Sequence, residues 1–195
     1  MRIGIFAGAT AETSFGLTGL VAFARDVEAR GFDTLWLPNI FGMDGIGACA
    51  IAGWETQRIE LGTAVTPTYP RHPAALAQQV MTTQLACGGR FALGIGLSHQ
   101  VVIEGMYGLS YDKPARHMSE YLQILTPLLH GKGVQFEGEQ LTAKLALDTP
   151  DTDAVPLLVA ALGPAMLKLA GTWADGTSTW MTGPKTIEDH IVPII

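Results

Sequence analysis

Ser98 and His99 follow, after Leu97, a short apolar run, FALGIG at 91–96, where a buried strand is expected to end. His99 could donate or accept a proton, because the pKa of imidazole lies near neutrality. A purely structural hydrogen bond from the same ring is the competing interpretation. Ser98 and His99 do not form a nucleophilic pair, since adjacent side chains diverge at a strand end. His99 is therefore the candidate catalytic residue of this sequence.

The glycines at 94–96 and the two cysteines are expected to have structural roles. A dinucleotide fingerprint would need glycine at position 99, which is histidine here. We expect these glycines to allow close strand packing, with backbone contact to a cofactor as the alternative. Cys49 and Cys87 are far apart in sequence, and we expect two small buried side chains in a reducing compartment.

The remaining histidines and two tryptophans are weaker candidates. His72 precedes a proline and is expected at a helix entry. His117 and His130 lie on the flank and at the end of a predicted helix, where solvent or the helix dipole is the expected partner. Trp36 and Trp180 are equally compatible with a pocket wall and with the core. No two histidines have metal-ligand spacing together with a carboxylate, so we expect no metal.

Composition indicates an ordered globular protein and excludes several classes of function. Hydrophobic residues make up 48% of the 195 residues and charged residues only 15%, which is atypical of disorder. The net charge of −6 argues against nucleic-acid binding, which requires a basic surface. No apolar run is long enough to span a bilayer, so no membrane partner is expected. The first residues show no signal-peptide pattern, and a cytoplasmic protein is predicted.

Apolar periodicity predicts alternating strands and helices. The predicted strands are 3–8, 32–38, 59–65, 91–96, 157–162 and 177–181. The predicted helices are 15–30, a short one within 42–54, 73–86, 114–130, 165–173 and 183–195. Leu17 and Leu85 are placed on the inner faces of their helices, and Asp112 is expected to cap the helix at 114–130. A small hairpin within 134–141 and an exposed acidic loop at 147–156 separate the fourth and fifth strands.

This order predicts a parallel sheet of the α/β class. A closed (β/α)₈ barrel needs eight such units and typically about 250 residues. Six units are present here, and length alone favours an open doubly wound sheet.

Several segments resemble the luciferase-like monooxygenase superfamily, and more narrowly its deazaflavin (coenzyme F-420)-dependent oxidoreductases. They are LGTAVTPTYPRHP, GGRFALGIGLSHQ, YDKPARHMSEYLQILTPLL, VPLLVAALGPAML and LAGTWADGTSTWMTGP. The resemblance implies a single TIM-barrel-type (β/α)₈ domain over 1–195 that is incomplete, with six of eight units and a truncated C-terminal end. It places an insertion region at about 99–156. The chain resembles the first two thirds of a family member.

The resemblance also implies a function. A family member of this kind is an oxidoreductase or monooxygenase that transfers a hydride between the deazaflavin F-420, or a flavin such as FMN, and a small organic substrate. The cofactor-binding residues it implies are Asn39, Ala64, Val65, His99, Ala160, Ala161, Leu162 and Gly163. The cofactor phosphate is expected near residues 160–163, and a non-prolyl cis peptide is expected at Ala64–Val65.

Some members have an Asp-His pair after the second strand, with the histidine in catalysis. Asn39-Ile40 occupies that place here, so sugar-phosphate chemistry is not expected. Two alternatives stay open: a shortened, non-catalytic flavin-binding barrel, and a fragment of a longer enzyme. In the first of these, a homodimer would cover the unpaired sheet edges.

Overall fold

The computed structural model describes residues 2–195, except that the side chains of residues 9–15 lie outside that description. The chain divides into two compact units. Unit 1 comprises Met1–Thr66, Gln79–Gly94 and Thr149–Pro156. Unit 2 comprises Pro67–Gln78, Ile95–Asp148 and Leu157–Ile195. A single domain over the whole chain stays a prediction.

Strands and helices alternate as the periodicity predicts. The strands are β1 (Gly4–Phe6), β2 (Thr34–Leu37), β3 (Glu60–Thr63), β4 (Thr66–Pro67), β5 (Phe91–Gly96), β6 (Val134–Glu137), β7 (Thr142–Leu145), β8 (Leu157–Ala160) and β9 (Gly176–Ser178). The helices are α1 (Ala9–Ala29), α2 (Gly45–Trp54), α3 (Pro73–Ala86), α4 (Gln100–Gly105), α5 (Pro114–Leu129), α6 (Pro164–Trp173) and α7 (Pro184–Thr186), followed by a π-helix at Ile187–Ile191.

Unit 1 is built on a parallel sheet with the order β1-β2-β3-β5. In its centre Leu35 pairs with Leu61, and Leu61 pairs with Phe91. All three side chains are buried, which explains why these strands are almost wholly apolar in sequence. β1 is more exposed than the central strands, as suits its place at the end of this order.

Unit 2 is organised by α5 and by the parallel pair β8 and β9. The predicted apolar stripe of α5 is confirmed as buried; it consists of Met118, Tyr121, Leu122, Leu125 and Leu129. A smaller cluster of Ala161, Leu167 and Ile191 joins the end of β8 to α6 and the π-helix. The antiparallel hairpin of β6 and β7 confirms the predicted hairpin, although its second strand lies beyond position 141.

Two predictions of buried leucines are wrong. Leu17 is 52% exposed, because α1 is interrupted at Gly16, whose φ of 56° and ψ of −175° break the helical phase. Leu85 is 42% exposed, because the neighbouring Gln84 takes the inner position in the last turn of α3. The Gln84 Oε1 accepts a hydrogen bond from the Phe91 N–H at 2.8 Å, which satisfies the first donor of β5.

Three local features of unit 2 also differ from expectation. The connection after β5 contains α4, a helix of six residues that the periodicity did not reveal. Asp112 does not cap α5: Lys113 is the N-cap, with a left-handed φ of 49°, and no side chain makes a capping hydrogen bond there. The predicted last helix is instead the short α7 continued by the π-helix.

The two cysteines of unit 1 are free and buried, which confirms their structural interpretation. The Cys87 Sγ contacts the Cys49 carbonyl oxygen at 3.5 Å. Burial raises the pKa of the Cys87 thiol to about 11, against an opposing effect of Arg90, so it stays protonated near neutral pH. In the described residues, no helix has the length and apolarity to cross a bilayer.

Candidate functional site

In unit 1 the end of β3 continues into the expected cis peptide. The bond between Ala64 and Val65 is cis, which confirms the geometry implied by the family resemblance. The Ala64 N–H donates to the Leu37 carbonyl oxygen at 2.8 Å, so the bulge is attached to β2. Ala64 and Val65 are both half-buried. Their contact with a cofactor ring stays a prediction.

Asn39 follows β2, but its side chain already has a structural role. The side chain is buried, and its Oδ1 accepts a hydrogen bond from the Gly45 N–H at 2.9 Å. The Asp44 carboxylate caps the same end of α2 by accepting from the Gly47 N–H at 2.8 Å. Asn39 therefore orients the start of α2, and its role toward a cofactor stays a prediction.

Close strand packing explains Gly94. A Cβ atom at this position would lie 2.0 Å from the Thr63 carbonyl oxygen. The Thr63 hydroxyl donates to the Gly94 carbonyl at 2.8 Å and also accepts from the Gly94 N–H at 3.1 Å. In the same sheet the ring of Trp36 covers Gly62, so Trp36 is part of the packing of β2 and β3.

In unit 2 the predicted phosphate segment, residues 160–163, connects β8 to α6. The Ala161 N–H donates to the Ser178 carbonyl at 3.2 Å, and the Leu162 carbonyl accepts from the His190 Nε2 at 2.9 Å. A Cβ atom at Gly163 would meet nothing within 4 Å. The N-terminus of α6 thus has open space beside backbone N–H groups, which is the arrangement an anion requires.

His99 is exposed and forms the N-cap position of α4 without a side-chain capping bond. Its carbonyl oxygen accepts from the Val102 and Ile103 N–H groups, so the backbone is ordered while the imidazole faces outward. Ser98, immediately before it, has a left-handed φ of 61°. The imidazole of His99 is thus exposed, and its role in proton transfer stays a prediction.

The sequence reasoning missed a polar aromatic cluster within unit 2. Its members are Thr68, Tyr69, Tyr111, His117 and Tyr121. The rings of Tyr69 and His117 stack with their centroids 3.9 Å apart and their planes 4° from parallel. Tyr111 stacks on the other side of Tyr69 at 5.1 Å, and the Tyr121 ring lies 5.6 Å from His117. The His117 Nε2 is 3.0 Å from the Thr68 Oγ1.

The prediction that His117 faces solvent is wrong, since the residue is only 5% exposed. Burial lowers the pKa of His117, although a hydrogen bond with Gln140 and the charge of Glu120 oppose that effect. The neutral imidazole is therefore favoured near neutral pH. His117 and Tyr121 are four residues apart on α5, and this spacing was the one sequence signal that could have placed His117 on the buried face.

The remaining candidate side chains, His72, His130 and Trp180, lie at helix ends or at the surface. His72 is at the entry of α3, where its Nδ1 accepts from the Ala74 N–H at 3.3 Å. The His130 Nδ1 lies 2.7 Å from the Thr126 carbonyl oxygen at the end of α5. Trp180 is exposed and does not belong to the core. In the part of the chain that the structure describes, no group of three or more His, Cys, Asp or Glu residues could hold a metal ion.

Glu120 fixes the hairpin of unit 2 to α5. Its buried carboxylate accepts hydrogen bonds from three consecutive N–H groups, at distances of 3.0 Å from Glu139, 2.8 Å from Gln140 and 3.0 Å from Leu141. Burial by itself would raise the pKa of Glu120, but these donors and Arg116 together lower it below 4.5. The carboxylate is therefore ionised in the folded protein at neutral pH.

We expect Glu120→Gln to destabilise unit 2 at pH 7 by about 1.5 kcal/mol, the lower end of the range for hydrogen bonds to a charged group, because water can reach the hairpin turn. The pKa of Glu120 is lower in the folded than in the unfolded protein. Its contribution is therefore complete above about pH 4.5 and is lost as the pH falls through the folded value. Urea unfolding at pH 7 and pH 3.5 measures this, and the difference from wild type should shrink at pH 3.5. Glu137→Gln in the exposed part of the hairpin is the control, and an equal loss in both variants would contradict the role of Glu120.

Comparison with known proteins decides the family. Residues 1–193 match the family described as luciferase-like monooxygenase. The chain belongs to this family. It is 31% identical over 167 residues to 5,10-methylenetetrahydromethanopterin reductase of Archaeoglobus fulgidus, covering 85% of the chain and 50% of that protein. It is 33% identical over 202 residues to the F420-dependent glucose-6-phosphate dehydrogenase of Nakamurella multipartita, covering 96% and 59%.

A solved structure supports the same assignment for this luciferase-like chain. The coenzyme F420-dependent tetrahydromethanopterin reductase from Methanopyrus kandleri superposes with a TM-score of 0.75 at 25% identity, covering 96% of this chain and 57% of that one. The predicted fold class, an incomplete TIM-barrel-type α/β fold, is thereby confirmed. The chain spans about half the length of the curated relatives it matches.

Proposed function

We propose that this luciferase-like chain acts as an oxidoreductase that transfers a hydride between the deazaflavin F-420 and a small organic substrate. The observation that carries the proposal is the family match over residues 1–193, with relatives that are named for dependence on F420. Hydride chemistry would be supplied by the bound deazaflavin. The protein's contribution would be to place the ring, exclude water and hold a proton donor.

In unit 1, Ala64 and Val65 would contact the ring. Both residues are uncharged and half-buried, which fits a flat aromatic group better than a charged one. Asn39 would contribute to the cofactor site indirectly, by holding the start of α2 in place, since its Oδ1 already accepts a hydrogen bond from the Gly45 N–H.

In unit 2, residues 160–163 would hold the cofactor phosphate. The open space at Gly163 and the N-terminus of α6 fit an anion, with Ala160, Ala161 and Leu162 forming the approach. His99 would be both a cofactor contact and the proton donor, because its exposed imidazole makes no capping hydrogen bond. The absence of an Asp-His pair after β2 continues to argue against a sugar-phosphate substrate.

A fluorescence titration with F-420 and with FMN tests the cofactor. We expect F-420 to bind with a dissociation constant of tens of micromolar or less, and FMN to bind more weakly. Gly163→Asp should weaken F-420 binding at least about tenfold, because it adds a negative charge at the phosphate position.

Gly183→Asp is a matched control for that titration. Gly183 also precedes a proline that opens a helix, and its Cβ position is likewise open. If both variants lose the same affinity, residues 160–163 do not hold the phosphate. If neither F-420 nor FMN binds at tens of micromolar, the proposed function is wrong for this chain.

The finer assignments belong to the same proposal. FMN is the competing cofactor, and a non-catalytic flavin-binding protein is the competing function. Tight FMN binding without turnover would favour both of these alternatives.

A homodimer is proposed because β1 and β9 each pair with a single strand among the described residues. A cytoplasmic location is proposed because Cys49 and Cys87 are thiols and not a disulfide.

A further inference from the structure

His190, in the π-helix of unit 2, is hydrogen-bonded to the segment at residues 160–163. Its Nε2 lies 2.9 Å from the Leu162 carbonyl oxygen. Since a carbonyl oxygen can only accept, the imidazole is the donor and carries a proton on Nε2. The next residue of the π-helix, Ile191, is buried in the apolar cluster at the end of β8 and the start of α6. The π-helix therefore contacts this segment through one polar and one apolar side chain.

The bond from His190 also sets the direction of the N–H group that follows. The C=O of Leu162 and the N–H of Gly163 belong to one planar trans peptide unit, in which the two groups point in opposite directions. With the carbonyl directed at His190, the Gly163 N–H points away from it. Gly163 is exposed, and no described residue accepts a hydrogen bond from its N–H. A Cβ atom there would meet nothing within 4 Å, so the donor lies beside open space.

The Gly163 N–H stands at the start of a helix of ten residues, α6. Pro164 has no N–H, and the N–H groups of Ala165 and Met166 have no acceptor within the helix. Gly163 thus adds a donor to those of the first turn, where the helix dipole also favours negative charge.

The neighbouring contacts hold the two ends of the segment. The Ala161 N–H donates to the Ser178 carbonyl at 3.2 Å, which ties the start of the segment to β9. The Gly163 carbonyl accepts from the Leu167 N–H at 3.0 Å, which ties its end to α6. The peptide between these two contacts is held by the bond to His190.

We propose that His190 is a positioning residue for the phosphate of the cofactor: by holding the Leu162 carbonyl, it keeps the Gly163 N–H directed at the anion. This role rests on the proposed function of residues 160–163 and adds the side chain that orients their backbone. If the Leu162–Gly163 peptide turned over, the partial negative charge of the carbonyl oxygen would face the phosphate in place of the N–H. A donor that is oriented before the anion binds loses little conformational entropy on binding.

NMR of the 195-residue chain, labelled with ¹³C in the leucine carbonyls and ¹⁵N in glycine, tests this role. A correlation between a carbonyl carbon and the nitrogen bonded to it then detects only Leu–Gly peptides, of which the chain has three, at 61–62, 93–94 and 162–163. Loss of one signal in Gly163→Ala assigns the third. We expect inorganic phosphate to shift the 162–163 signal saturably, while the signals of the buried Gly62 and Gly94 stay constant.

His190→Ala should weaken the binding of inorganic phosphate and of F-420 by about tenfold, because the Gly163 N–H is no longer held toward the charged oxygen. His190→Gln should restore both affinities to within about twofold of wild type, because its amide N–H can donate to the same carbonyl. Glutamine carries no charge, so this rescue separates the orientation of the peptide from a charge on the imidazole. Equal weakening in the two variants would overturn the proposal, as would wild-type affinity in His190→Ala.

His130→Ala is the matched control. His130 is also close to a backbone carbonyl, since its Nδ1 lies 2.7 Å from the Thr126 oxygen, but that contact is within one turn at the end of α5. In the protein without ligand, the Leu162 carbonyl resonance should move in His190→Ala and stay in place in His130→Ala. Phosphate affinity should be unchanged in the control. An unmoved Leu162 resonance in His190→Ala would contradict the orienting role.

The cofactor titration separates this role from the proposed function. Phosphate binding at Gly163 that depends on His190, in a chain that binds neither F-420 nor FMN, would support the role of His190 and reject hydride transfer. F-420 binding that His190→Ala leaves unchanged would reject the role of His190 alone. A 162–163 signal that responds to neither phosphate nor F-420 would also overturn it.

Discussion

Gly94→Ala is expected to destabilise unit 1 by about 3 kcal/mol, the upper range for overpacking in a closely packed interior. The added Cβ would lie 2.0 Å from the Thr63 carbonyl oxygen and 3.2 Å from a methyl group of Val65. The backbone atom cannot rotate away as a side chain could, and Gly94 is also bonded to the Thr63 hydroxyl. Urea unfolding followed by circular dichroism measures the change, and loss of soluble protein would be the extreme form of the same result.

Gly163→Ala is the control for that experiment, with stability as its readout. Its Cβ would meet nothing within 4 Å, and the backbone φ of −85° is allowed for alanine. We expect its free energy of unfolding to stay within about 0.5 kcal/mol of wild type. If Gly94→Ala were equally harmless, the packing of β3 against β5 would be looser than these distances indicate.

Arg90→Met is expected to cost about 3 kcal/mol of unfolding free energy. The guanidinium donates to three backbone carbonyl oxygens that follow or end α2: at 2.6 Å to Ile59, 2.8 Å to Gly53 and 3.0 Å to Thr56. Hydrogen bonds from a charged donor are each worth about 1.5–3 kcal/mol, and water replaces part of that when the donor is removed. Methionine keeps much of the side-chain length, so the loss reports mainly on the hydrogen bonds.

Arg30→Met is the matched control for Arg90. Arg30 is exposed and pairs with Asp26 one turn earlier in α1, where water screens the pair and leaves it little effect on stability. Urea unfolding at pH 7 should therefore give a clearly lower midpoint for Arg90→Met than for Arg30→Met. Similar midpoints would show that Arg90 is not required to hold the end of α2.

The strands and helices could be predicted because the apolar patterns that indicate them are local in sequence. Continuous apolar runs predict buried parallel strands, and the stripe at Met118, Tyr121, Leu122, Leu125 and Leu129 predicts the inner face of α5. The errors arise where a neighbour overrides that pattern. Gly16 breaks the phase of α1 and exposes Leu17, and Gln84 displaces Leu85 because a polar side chain was needed to bond the Phe91 N–H.

Only part of the candidate site could be located from the sequence. The family-derived positions at Ala64–Val65 and at residues 160–163 could be located from sequence, because each lies at the end of a recognisable strand. Their roles toward a cofactor remain predictions. The aromatic cluster could not be located, since Tyr69 and His117 are far apart in sequence and share no common motif.

Most of the strands and helices, the small residues at the strand ends and the family could be recognised from the amino-acid sequence alone. Each of these depends on residues that are neighbours along the chain or within one turn of a helix. The burial of His117, the stacking of Tyr69 on it, and the absence of hydrogen-bond partners for the Tyr69 and Tyr121 hydroxyls among the described residues became visible only in the folded structure. Such contacts are set by how separate segments pack, and packing brings together residues whose spacing carries no periodic signal.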